Sequence, residues 1–139
     1  MERHGEAPQV IPCKRPSDAK ARIVDEIEAF RVSDHNSLAI IAKTQKQANR
    51  LHRQLTETGV ETRLLDANSE GYSAGIMVCT AHLAKGLEFD RVIVTDASAD
   101  TYHTDLERNL LYVACTRAMH RLTVIAPGEP SQFLPKTIA

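Results

Sequence analysis

The chain has 139 residues, 42% apolar and 25% charged, which is enough material for one domain with its own core and the balance of a soluble globular protein. A net charge of −1 and a pI of about 6.6 exclude a bulk basic footprint for nucleic acid, and 4% aromatics with no Trp exclude a broad stacking platform for single strands. No apolar run approaches membrane-span length, the N-terminus is too charged for a signal peptide, and the three cysteines, odd in number and without metal-type spacing, read as reduced thiols of a cytoplasmic protein.

Residues 1–17 are polar with three prolines and read as an extended N-terminal segment, in which Val10 to Cys13 could form a short edge strand, where Pro is tolerated. From Asp18 the pattern turns helical, with Ile23, Val24, Ile27 and Phe30 in one stripe. Ser37–Ala42 is a short apolar run of the kind a parallel strand buried on both faces requires. Thr44 and Gln47 then match a capping box; Ala48, Leu51 and Leu55 line the helix that follows, and Gly59 ends it.

Residues 61–65, 76–79 and 92–95 are further strand candidates, with a turn-rich connection over 66–75. Thr104 and Glu107 form a second capping box, opening a helix expected to carry Leu106, Leu110, Val113 and Ala114 on one side. Residues 122–125 make the last strand, and the Pro-containing tail after Ala126 is expected on the surface. Strands separated by helical segments predict an α/β fold, a doubly wound, mostly parallel sheet flanked by helices, spanning 18–126 and followed by a tail at 127–139. In such sheets ligands bind beyond the carboxyl ends of strands; Lys43, Thr80 and Asp96 each follow a predicted strand.

Chemistry concentrates in 80–121. The run Thr80-Ala-His82-Leu-Ala-Lys85-Gly86-Leu87-Glu88-Phe89-Asp90 makes a loop able to meet phosphate and ribose. Gly86 permits a tight backbone path, and Leu87 and Phe89 anchor inward while Glu88 points out. The plainer alternative is a strand-to-strand connection with solvated charges. The run Glu107-Arg108-Asn-Leu-Leu-Tyr112-Val-Ala-Cys-Thr116-Arg117-Ala ends a helix on Arg117. A cation there suits the helix dipole or a salt bridge, but a planar, permanently charged fork also suits phosphate oxygens.

These two runs resemble motifs V and VI of the superfamily 1 helicases of the UvrD/Rep type. The resemblance covers residues 37–125 and implies the second, C-terminal RecA-like domain of such a DNA helicase. It implies ATP as the nucleotide, Arg117 as an arginine finger, Glu88 on the nucleotide sugar with Gly86 shaping the loop, and Thr80 and His82 near single-stranded DNA. Lys43 stands where the family's motif IV usually presents an Arg that reaches the γ-phosphate; a lysine offers only a point charge there. No G-x-x-x-x-G-K-[ST] phosphate loop occurs, so Mg²⁺ and the phosphates are expected on an absent first RecA-like domain, and this chain alone is expected to be inactive.

The intervals between motifs are too short for the helical insert of processive members. That compactness resembles the HelD-like branch, and it raises the alternative of a non-catalytic module docking on RNA polymerase. The run from Val92 to Asp96 mimics a Mg²⁺-binding strand, but without a phosphate loop it reads as a core strand with an exposed terminal Asp. No metal site is expected, because the six histidines form no H-x-x-x-H pair and no C-x-x-C exists.

Overall fold

The computed structural model describes residues 9–65 and 74–133. Most of the turn-rich connection and both chain ends lie outside the described residues. The elements are β1 (Gln9–Cys13), α1 (Pro16–Arg31), β2 (Ser37–Ala42), α2 (Gln45–Glu57), β3 (Arg63–Leu64), β4 (Gly75–Thr80), α3 (Ala81–Ala84), β5 (Phe89–Val94), α4 (Asp105–Cys115) and β6 (Ala118–Pro127). All six strands form one parallel sheet in the order β1-β6-β5-β2-β4-β3.

β2 lies inside this sheet and every one of its residues is buried, because helices cover both faces. Its side chains alternate between two cores. Leu38, Ile40 and Ala42 face Ile23, Ile27 and Phe30 of α1 and Ala48 and Leu55 of α2. Ala39 and Ile41 face Ala81 and Ala84 of α3 and Leu111 and Ala114 of α4.

Both capping boxes form. Thr44 Oγ1 accepts from the Gln47 N–H at 3.2 Å, and Thr104 Oγ1 from the Glu107 N–H at 3.2 Å. α2 closes just before Gly59, whose φ of +85° is left-handed.

Four expectations need correction. β5 begins at Phe89 and β6 at Ala118, earlier than the apolar runs, because Arg91 and Arg121 are in-strand residues with polar partners. Leu106 is 71% exposed: the buried line of α4 runs through Leu111 and Ala114, so Leu106 turns away. Asp96 is half-buried rather than exposed, accepting from the Ser98 N–H and, at 2.7 Å, the Thr101 hydroxyl. The segment after β6 returns to the body: Ser131 is buried and its hydroxyl donates to the Tyr102 carbonyl at 2.7 Å.

A parallel sheet gathers like ends. Lys43 follows β2 and Thr80 ends β4, both at the carboxyl edge, while Glu88 and Arg117 immediately precede β5 and β6 at the opposite edge.

Candidate functional site

Residues 80–90 are not a plain connection. Thr80 closes β4, and its hydroxyl oxygen accepts from the Leu83 N–H at 3.2 Å, capping the single turn α3. Ala81 and Ala84 are buried against Leu111 and Ala114, so α3 packs on α4. His82 and Lys85 stay exposed. Gly86 then takes φ +82°, a left-handed conformation that strains any side-chain-bearing residue even though open space surrounds it. The turn it permits brings the Leu87 N–H to the Ala84 carbonyl at 3.0 Å and drives Phe89 into the core.

Glu88 sits between these two anchors. One of its carboxylate oxygens, Oε2, is buried with no hydrogen-bond partner among the described residues, so the carboxylate does not simply point out. A buried acceptor without a donor is costly, on the order of 1–3 kcal/mol or more for a charged group, and marks a place where a donor belongs.

Arg117 is its neighbour. The Phe89 N–H donates to the Arg117 carbonyl at 2.9 Å, and the Arg117 guanidinium donates to the Leu87 carbonyl at 3.4 Å; these contacts bracket Glu88. The other guanidinium contacts are the Val113 carbonyl at 3.1 Å, in the last turn of α4, and the Thr116 hydroxyl at 3.2 Å. All are neutral acceptors. Among the described residues no carboxylate lies within ion-pair distance of Arg117.

Lys43 behaves differently. Its Nζ donates to the Thr101 carbonyl at 2.8 Å and to Glu107 Oε2, and lies 6.0 Å from the Tyr102 ring centroid. The other oxygen of Glu107 accepts from the backbone N–H groups of His103 and Thr104 at 3.0 and 3.1 Å. The Lys43 hydrogen bond first, then these two backbone bonds, hold the Glu107 carboxyl far below the usual range, at about 2. Glu107 was legible only as a helix cap; its pairing with Lys43, 64 positions away, has no local signal.

The expected site residues therefore fall into two sets. Gly86, Glu88 and Arg117 come together at the C-terminal end of α4; Lys43 and Thr80 lie at the carboxyl edge, with His82 on α3 just beyond. Reading the sequence alone missed a third polar group. The rings of His35 and His120 stack at 4.9 Å, Arg91 Nε donates to His35 Nδ1 at 2.8 Å, and Asp90 accepts from the Asn36 and Ser37 N–H groups at 2.7 and 3.2 Å. Burial first, then Arg91 and His120, lower the pKa of His35. Among the described residues no group of three or more His, Cys, Asp or Glu could hold a metal ion, and no helix is long and apolar enough to cross a membrane. Burial pushes the Cys79 thiol up to about 12, as a core thiol requires.

Residues 75–125 match the family described as the UvrD-like helicase C-terminal domain. The crystal structure of the C-terminal domain of a possible DNA helicase from Lactobacillus plantarum WCFS1 superposes with a TM-score of 0.82 at 32% identity, over 94% of this chain and 80% of that one. The F-box DNA helicase protein 1 of Schizosaccharomyces pombe is 31% identical over 127 residues, 78% of this chain, and the Gabija protein GajB of Bacillus cereus is 50% identical over 52 residues, 37% of this chain. The chain spans 14% and 10% of the lengths of those two relatives. With its parallel sheet, flanking helices and both motif runs in place, the fold is RecA-like, and the chain belongs to the UvrD-like helicase C-terminal domain family.

Proposed function

We propose that this chain is the C-terminal motor domain of an ATP-dependent DNA helicase or translocase, supplying Arg117 and Glu88 to a nucleotide held mainly by a first RecA-like domain. The observation that carries this reading is the Glu88–Arg117 neighbourhood: among the described residues, a buried carboxylate oxygen lacks a donor and is bracketed by contacts of Arg117, whose guanidinium lacks an anionic partner. A nucleotide fits both deficits. Its sugar hydroxyls are donors for Glu88, and its phosphate oxygens are anionic acceptors for the Arg117 fork.

ATP, when bound, brings a γ-phosphoryl group on which negative charge is redistributed during transfer. Arg117 enters that chemistry as a preorganised cation whose present partners are all neutral and exchangeable. Gly86 sets the turn that holds Glu88 and Arg117 side by side. At the carboxyl edge, Thr80 and His82 are the contacts for single-stranded DNA. Thr80 is buried at the strand end and its oxygen accepts the α3 cap bond, while His82 is exposed just beyond it, so His82 is the first of the two that a DNA strand would meet. The motor unit comprises residues 18–126 with β1 and the 127–133 return docked onto it. The RNA polymerase docking alternative gains nothing from the fold or the relatives.

The test is direct. The pure 139-residue chain should release no phosphate from ATP, with or without single-stranded DNA, because it has no phosphate loop. In the protein that carries both domains, Glu88→Ala should weaken nucleotide affinity more than it lowers kcat. Parental nucleotide affinity and turnover in both Glu88→Ala and Arg117→Ala would sink the reading.

A further inference from the structure

We propose that Lys43 is a positioning residue: by clamping Glu107 and the Thr101 carbonyl it fixes the N-terminal end of α4, and through that helix the placement of Arg117. This inference rests on the reading of Arg117 as the finger. It gives Lys43 a role inside the chain rather than on the nucleotide.

Three observations carry it. First, two of the three ammonium N–H groups are taken by acceptors inside the chain, the face of Tyr102 lies 6.0 Å away, and the side chain is only 22% exposed. Second, its partner is divided between two tasks. One Glu107 oxygen caps the first turn of α4 and the other holds Lys43, so the helix end is fastened to the carboxyl end of β2. Third, the loop between β5 and α4 is fastened at the same point. Thr101 gives its carbonyl to Lys43 and its hydroxyl to Asp96. α4 is a rigid rod between this clamp and Arg117: Glu107 and Val113, whose carbonyl seats the guanidinium, are six positions apart, about 9 Å of helical rise. A small displacement of a catalytic group is enough to lower a rate about 100-fold.

The experiment is a double-mutant cycle in the two-domain protein with single-stranded DNA present. Lys43→Met keeps the aliphatic stem without the charge. Glu107→Gln keeps the capping box, which accepts Gln at this position, and releases Lys43. Each variant should lower kcat about 10-fold with nucleotide Kd within about twofold of parental, and the double variant should be no worse than the poorer single, since both break one link. Lys43→Arg, able to bond the same carboxylate, should recover most of the loss.

A second readout does not depend on catalysis. In the folded 139-residue chain, the side-chain Nε–H resonance of Arg117 should shift alike in Lys43→Met and Glu107→Gln. If Lys43→Met raises nucleotide Kd about 10-fold while Glu107→Gln does not, and the two effects add, Lys43 touches the nucleotide and the clamp is wrong. An Arg117 resonance unmoved by both variants would also overturn it. If the resonance shifts as expected while Arg117→Ala turns over at the parental rate, the clamp stands and the finger assignment fails.

Discussion

Helix α4 has a cation at each end, and the two are treated in opposite ways. At its N-terminus Lys43 is neutralised by Glu107, and that carboxylate also caps the helix. At its C-terminus Arg117 meets, among the described residues, only carbonyls and a hydroxyl, while the segment it contacts carries Glu88 with one oxygen lacking a partner among those residues. A fold that only needed stability would pair Glu88 with Arg117 as it pairs Glu107 with Lys43. On the two readings proposed above, the satisfied end serves as a structural joint and the unsatisfied end receives an outside molecule.

Substitutions can break that contrast with graded force. The largest effect belongs to the unsatisfied end: Arg117→Ala in the two-domain protein should lower kcat by on the order of 10³–10⁵ with nucleotide affinity close to parental, read by steady-state turnover and nucleotide titration. Next comes the support beneath it. Phe89 is fully buried and its N–H holds the Arg117 carbonyl, so Phe89→Ala should destabilise the chain by about 3–5 kcal/mol in denaturant melts. Hydrogen exchange should then quicken in 85–90 and 114–119 more than around Lys43.

The caps separate the ends more gently. Thr104→Ala and Thr80→Ala should each cost about 1 kcal/mol by the same melts. Only Thr104→Ala should loosen the Lys43 joint. The smallest effect is titration of the satisfied end. The Glu107 pKa is lowered, so its contribution is fully present above the ordinary carboxylate value near 4.5 and is lost as pH falls toward about 2. Stability measured across that window should show the step in the parental chain and lack it in Glu107→Gln.

Legibility in the sequence followed the range of the forces. β2 announced itself because a strand buried on both faces must be apolar at every position, and both capping boxes because their partners lie three residues apart. The early part of β6 was hidden by Met119, His120 and Arg121. Arg121 is in-strand because Glu26 of α1 and Gln9 of β1 receive it, partners that only the sheet order brings near. Leu106 was misassigned by a small phase error in the buried stripe of α4. For the site, the motif runs pointed to Glu88 and Arg117, and the structure adds that contacts of one bracket the other. The engagement of Lys43 by Glu107 is tertiary and could not be read locally.

The ends of the sheet set how this domain can behave in company. Among the described residues one margin is β1, whose outer row is interrupted by the exposed Pro12 with no N–H to offer; the other is β3, two residues long. Neither makes a good template for a stray strand from another molecule. In the motor proposed above, a domain that separates from and rejoins a second sheet-bearing domain would otherwise risk strand exchange at every opening. With both margins blunted, contact between such halves is left to side chains, which can be released, rather than to backbone ladders, which are hard to undo.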